Sequence, residues 1–252
     1  PAPPRRAPPP LPLIKQATVS IAGVSPSASD LAFWDDVHGL DLRACAREVR
    51  GRRARHGAVV AVESAHVVTS EARVHELDLA TCRVGDEAFS TGFELRALPG
   101  PKEPSAVLGG IALWFDVEFS ERVCPDAPVL LSTSPRSPQT HWHQALLELP
   151  SPMELVSCPH SPSSPSPPTG KEGGEGGEGE EGGEGGEGQM GEEKKEKGRA
   201  RLISTVRGRV SLSRGPCHRS VDVALEVQGF DSQGRAVPGT RHVGLYPFAM
   251  SD

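Results

Sequence analysis

From Pro159 to Gly198 the chain carries almost no apolar side chain, running through SPSSPSPP into repeated Glu-Gly-Gly, and this stretch constrains the fold more than any other. A segment of that kind buries too little surface to offset the entropy of ordering it. It reads as a disordered, acidic linker stretched by its own like charges, an inert insertion in preference to a cation or basic-partner site. Pro1 to Pro12 are mostly proline and read as a disordered end, although such a segment also suits an aromatic-lined groove. What remains is roughly 190 residues, enough for one ordinary domain.

Net charge is −6, and much of the excess comes from the Glu-rich tract, so the folded part is closer to neutral and argues neither for nor against nucleic acid. Arg43 to His56 is strongly basic, but no aromatic interleaves it, which favours a solvated face or loop over a nucleic-acid surface. The five cysteines, Cys45, Cys82, Cys124, Cys158 and Cys217, are odd in number, widely spaced and without a CxxC pair. That pattern speaks against a zinc site and against a secreted disulfide scaffold. No apolar run approaches the roughly 20 residues needed to span a bilayer, and the N-terminus has no signal-peptide core. A reducing, intracellular compartment is the expectation, and a start at Pro1 reads as a fragment or trimmed product.

Period-two alternation is the main structural signal. Lys15 to Val24 reads as a half-buried strand ended by Gly23 and Ser25-Pro26. Ala58 to Val62, Arg73 to Leu79 and Gly92 to Ala97 read as short strands between polar turns, at a spacing that suggests an antiparallel sandwich or barrel. Gly109 to Phe119 is the strongest strand, apolar on both faces until Asp116 and Glu118, as expected of a central strand leaving a core. Leu202 to Leu212 and Ser220 to Gln228 pair through Gly215-Pro216, and His242 to Phe248 closes the sheet, with Pro247 tolerated only at an edge. Between the first two strands, Ser29 or Asp30 caps a helix starting at Leu31 and ending at Gly39.

Leu130 to Leu149, LLSTSPRSPQTHWHQALLEL, combines these signals with a chemical one. Val129 to Leu131 leads into a segment that Pro135 and Pro138 stiffen, and a return strand begins at Gln144. Thr140-His141-Trp142 end the loop, where an imidazole beside a large aromatic suits the wall of a small polar pocket. The alternative places Trp142 in the core and His141 on the surface. His141 and His143 would share one side of a strand, but no third ligand is evident and no metal is assigned. No GxSxG elbow is present to support a hydrolase.

Two segments carry a resemblance. Ser132-Thr133-Ser134-Pro135 through Thr140-His141-Trp142 and Gln144 resembles the loop of the protein arginine N-methyltransferases, in particular the asymmetric-dimethylating (type I) class. Phe33-Trp34-Asp35-Asp36-Val37-His38-Gly39-Leu40-Asp41-Leu42 resembles a second signature of that family, with His38 and Leu42 departing from its usual tyrosine and methionine. Between them, Gly109 to Phe119 is similar to the family's apolar strand.

The resemblance implies a mainly β fold, an antiparallel barrel or sandwich with a short helical dimerisation arm and the long disordered insertion. Its segments would be a proline-rich end at 1–12, a first barrel strand at 13–24, the arm at 25–50, the substrate-binding barrel at 51–158, the insertion at 159–198 and the final strands at 199–252. It implies methyl transfer from S-adenosylmethionine to arginine guanidinium groups of proteins such as histones or Gly/Arg-rich chains, in the nucleus or cytoplasm, by a homodimer with no membrane or direct nucleic-acid partner. Thr140, His141 and Trp142 would line the arginine pocket, with His141 in a supporting catalytic role toward a cofactor domain. Phe33, Trp34 and Val37 would face the partner, the alternative being burial within an ordinary amphipathic helix. No glycine-rich strand–turn–helix for the cofactor occurs here, so the chain alone is expected to be inactive and to bind no S-adenosylmethionine. A non-enzymatic β module for interaction or dimerisation is the competing reading, and the sequence upstream of Pro1 discriminates between the two.

Overall fold

A computed structural model describes residues 14–99, 105–119, 126–157, 202–217 and 219–249. The proline-rich end and the Pro159–Gly198 insertion lie outside the described residues, as do Cys124 and Cys158. The element order is β1 (Ile14–Val24), α1 (Arg43–His56), β2 (Ala58–Val60), β3 (Val67–Asp78), β4 (Phe89–Arg96), β5 (Ser105–Phe119), β6 (Val129–Ser132), β7 (Gln144–Val156), β8 (Thr205–Arg214), β9 (Ser220–Phe230) and β10 (His242–Ala249).

Two antiparallel sheets face each other. One runs β2-β7-β5-β1-β3 with β6 added to β5, and the other runs β10-β9-β8-β4. The sheets approach closure at two corners, through bridges Thr69 to Ala97 and Leu155 to Ile203, which gives a barrel-like sandwich. Between them, Ile21, Leu95, Leu108, Ile111, Val206 and Leu225 are buried in one core. The opposite face of the larger sheet is buried as well, where Ala22, Val24, Val60, Ala112, Trp114 and Leu146 cluster with Ala28 and Val62. Burial on both faces is the reason β5 reads as an unbroken apolar run, because neither set of alternate side chains meets water.

The strand expectations hold with shifted ends. β7 is much longer than the short return strand read at Gln144 to Leu149, and it continues past Pro150 and Pro152. Its register against β5 jumps between Leu108 and Gly110, so the prolines sit at an irregularity where the ladder makes no demand on their missing N–H groups. Pro247 lies in β10, the edge strand of its sheet, as its chemistry requires.

The helical readings need correcting. Leu31 onward forms a short 3-10 helix, Asp30–Asp35, and the Ser29 side chain makes no capping bond there. An α-helix occupies Arg43–His56, and with only Ala46 buried it presents the solvated basic face expected of this stretch. Asp41 caps its first turn, its Oδ1 accepting from Arg43 N at 3.1 Å. Arg53, Arg55 and His56 complement the carbonyl end, and Arg52 pairs with Glu48 one turn back at 3.0 Å. Gly57 ends the helix at φ 65°, its N–H returning to Arg53 O at 2.8 Å. A Cβ there would stand 2.3 Å from the Phe248 ring, so a glycine is needed for space as well as for backbone angle.

Candidate functional site

The loop between β6 and β7 is built into the middle of β5. Both strands use the same edge of β5: β6 leaves at Ser132 opposite Asp116, and β7 returns at Ala145 opposite Leu113. Thr133 fills the gap. Its backbone N–H and its Oγ1–H both donate to Phe115 O, at 3.2 and 2.7 Å, and Oγ1 accepts from Phe115 N at 3.2 Å. Phe115 thereby keeps both backbone partners on the edge where neither β6 nor β7 runs beside it.

Gln144 locks the same point from the other side. Its Nε2 donates to Thr133 O at 2.7 Å, and its Oε1 accepts from Val62 N at 2.7 Å. The side chain is only 6% exposed, so neither backbone group has water as a substitute. Beyond Thr133, a turn closes with Ser137 N donating to Ser134 O at 3.0 Å, and Arg136 Nε reaches Glu71 Oε1 on β3 at 2.7 Å. The loop is thus pinned at its root and along one side before it reaches Thr140.

Thr140, His141 and Trp142 are brought together in a bend at the end of the loop, as expected, and His141 and His143 therefore do not alternate along a strand. Thr140 Oγ1 accepts from Trp142 N and donates to Trp142 O, both at 3.1 Å, a local clasp that fixes the Trp142 backbone. The His141 and Trp142 rings lie 4.2 Å apart at 35°, and Trp142 meets Phe115 edge-on at 6.2 Å. Trp142 is 44% exposed, so the core placement does not hold. A rigidly mounted indole facing solvent beside an imidazole can offer a π surface and a hydrogen-bonding edge to a flat cation.

Phe33, Trp34 and Val37 lie on the excursion between β1 and α1. Val37 and Leu40 bridge each other across His38 and Gly39, whose φ values of 55° and 85° are those of a type I′ turn. Asp36 Oδ1 accepts from Gly39 N at 2.6 Å and holds the turn. Trp34 O accepts from Leu42 N at 3.0 Å, and Trp34 and Val37 are half-buried. Phe33 is 62% exposed and Leu40 63%, a pair of apolar side chains projecting from a tight turn. Leu40 was not singled out from the sequence, and neither were the roles of Thr133 and Gln144. The available signal was a glutamine at the first position of an otherwise apolar strand.

Three cavities of about 430, 200 and 460 Å³ lie elsewhere and are not lined by the Thr140–Trp142 segment. A nucleotide-type cofactor needs a strand that passes through a glycine turn into a helix. The described residues do not make that arrangement, because α1 is entered from Leu42 after the Val37–Leu40 turn and not from a strand. No helix among them is long and apolar enough to cross a membrane.

Comparison with known proteins places these features together. The family model described as "Arginine methyltransferase oligomerization subdomain" matches residues 15–160. The probable protein arginine N-methyltransferase 3 of Oryza sativa subsp. indica is 32% identical over 221 residues, covering 87% of this chain and 31% of that protein. Protein arginine N-methyltransferase 1 of Saccharomyces cerevisiae is 30% identical over 145 residues, covering 55% of this chain and 38% of that one. The chain therefore spans about a third of the length of such relatives. Among solved structures, the Trypanosoma brucei PRMT1 enzyme–prozyme heterotetrameric complex with AdoHcy superposes with a TM-score of 0.58 at 18% identity, over 93% of this chain and 56% of that one. Protein arginine methyltransferase 10 of Arabidopsis thaliana superposes at 0.57 and 13% identity, over 93% and 60%.

Proposed function

This chain belongs to the protein arginine methyltransferase family, and from that premise we propose that it is the substrate-facing and oligomerising portion of an enzyme that transfers a methyl group from S-adenosylmethionine to arginine guanidinium groups of proteins. The observation that carries the reading is the continuous family match over residues 15–160, which takes in both the Phe33–Leu40 turn and the Thr133–Gln144 loop.

A guanidinium has a pKa above 12 and a delocalised lone pair, so transfer to it requires one nitrogen to be held in line with the methyl donor. In this reading Trp142 shapes the slot that admits the planar group, Thr140 keeps the Trp142 backbone in place, and His141 acts beside it in support. The described residues do not fit S-adenosylmethionine, and in this reading the cofactor is held by a part of the enzyme outside them. Phe33, Trp34 and Val37, with Leu40, form the apolar contact to a second copy, and a homodimer is the proposed assembly. Arginine-bearing proteins such as histones or Gly/Arg-rich chains are the proposed substrates, in the nucleus or cytoplasm.

The test is methyl transfer to an arginine-containing peptide by the intact protein that includes this chain, measured with and without Trp142→Ala. Turnover that falls about a hundredfold in the variant, with unfolding unchanged, supports the pocket. An intact protein that transfers no methyl group yet self-associates through Phe33 and Leu40 would instead be a binding module built on the same fold.

A further inference from the structure

A cavity of about 430 Å³ opens between α1 and the Pro26–Asp35 segment. Arg43, Arg47 and Arg50 line it from the helix, and their spacing of four and then three residues puts them on one face. Ala46, on the same side, is the buried residue of the helix and lets the two segments approach. Opposite stand Pro26, Ser29, Leu31 and Asp35.

The charges in this cleft are not evenly matched. Arg43 is committed to Asp41, with its Nε on Oδ1 at 2.9 Å and a close second contact from Nη2 to Oδ2, and the Asp35 carboxylate adds to its field. Arg47 and Arg50 have no ion pair among the described residues. Ser29 is 7% exposed, and its hydroxyl is buried with no hydrogen-bond partner. A buried hydroxyl without a partner is uncommon in folded proteins and calls for an explanation. Ser29 lines this cavity and also a smaller one of about 200 Å³ behind it, where Arg50 appears again. Glu148, on the wall of the smaller cavity, faces Arg53 at 3.8 Å.

We propose that the Ser29, Arg47 and Arg50 end of this cleft is a binding site for a phosphoryl group. Two guanidinium groups on one helix face supply planar, permanently charged donors that match phosphate oxygens, and the Ser29 hydroxyl supplies a short neutral donor from the opposite wall. Asp41 and Asp35 neutralise the Arg43 end, which leaves the net positive field at Arg47 and Arg50. The cleft is several times larger than a bare phosphate and has apolar walls at Pro26 and Leu31, so it has room for the chain that carries the group. The site is separate from the Thr140–Trp142 loop, and its existence does not depend on the methyl-transfer reading.

The experiment uses the chain Pro1–Asp252 and two probes, inorganic phosphate and N-acetyl-O-phosphoserine amide, titrated while backbone amide resonances are recorded. Saturable shifts at Ser29 and along the Arg47–Arg50 turn are expected. Arg47→Gln with Arg50→Gln should weaken binding at least tenfold, Ser29→Ala about threefold to tenfold, and Arg52→Gln with Arg55→Gln, elsewhere on α1, should leave it unchanged. Tighter binding of the phosphoserine probe identifies a phosphorylated side chain as the source, and equal or weaker binding identifies the free ion. Equal weakening by the Arg52/Arg55 pair would show diffuse charge and no site, and an absence of shifts at Ser29 would also overturn the proposal. Amide spectra of each variant establish that it is folded, and the exposed Arg47→Gln single variant supplies a second reading if Ser29→Ala is not.

Discussion

The Nε2 of Gln144 donates to the carbonyl of Thr133 at 2.7 Å, tying the first residue of the return strand to the first residue of the loop that precedes it. Eleven residues, the whole loop between β6 and β7, are closed by that one bond, and the other end of the same amide holds Val62, 82 positions away in the chain. The loop, β5 and the segment leaving the helix therefore share one buried polar point.

Gln144→Leu keeps the volume but strands the Thr133 carbonyl and the Val62 N–H in a dry site. Each buried unpaired group costs about 1–3 kcal/mol, so the variant should lose about 2–6 kcal/mol in urea unfolding. Gln144→Glu keeps the acceptor for Val62 but puts a carboxylate against the Thr133 carbonyl. Its stability should rise as pH falls and the carboxyl becomes a donor, the reverse of the wild-type trend.

Trp142 separates a structural role from a binding role. At 44% exposure its truncation should cost well under the roughly 3–5 kcal/mol of a fully buried aromatic. In the intact enzyme Trp142→Ala should lower turnover about a hundredfold, roughly 3 kcal/mol, with the melting temperature nearly unchanged. A collapse in melting temperature with normal specific activity would return Trp142 to the core.

Phe33→Ser with Leu40→Ser removes the two exposed apolar side chains of the turn, with the Phe33–Trp34 edge contact at 5.6 Å the packing given up. If the proposed homodimer forms through this turn, sedimentation of the intact protein at low concentration should shift toward monomer, while the circular dichroism of the chain stays the same. If the dimer persists undiminished, another surface makes it.

Gly57→Ala tests how α1 is seated on β10. The substitution forces a side chain into a left-handed backbone and into the Phe248 ring at 2.3 Å. A loss of about 2 kcal/mol or more is expected, and Phe248→Ala in the same chain should recover part of it, since only the steric half of the problem is relieved.

The Tyr246 hydroxyl donates to Glu148 O at 2.9 Å and accepts from His242 Nε2 at 2.9 Å. Burial, with a smaller push from the Glu148 charge, raises the phenol from 10.0 to about 12, and burial lowers the His242 imidazole below 6.5. The folded state thus favours both groups neutral. Stability from Tyr246 is complete below about pH 10 and is lost as pH climbs toward 12, and that from His242 is complete above about 6.5 and is lost as pH falls below it. Melting temperature should be flat between those limits, with the alkaline fall reduced in Tyr246→Phe and the acid fall reduced in His242→Gln.

What the sequence determined by itself was the part of the structure that rests on local repetition. Alternation in β1, β8, β9 and β10 specifies strands because the pleat sends neighbouring side chains to opposite faces, β5 is marked by its continuous apolar run, and Pro247 specifies an edge because it cannot donate to a second neighbour. The Phe33–Leu42 and Ser132–Gln144 segments could be matched to a family for the same reason, since their residues are contiguous. The tertiary structure decided the rest. α1 was not legible because Arg43 to His56 buries only Ala46, so it presents no apolar stripe, and its position is set by Gly57 fitting under Phe248, almost two hundred residues on. The exposure of Trp142, the double tie of Gln144 and the unpartnered hydroxyl of Ser29 all depend on which distant segment lies alongside. Burial and hydrogen-bond satisfaction are properties of an environment assembled across the chain, and no local pattern encodes them.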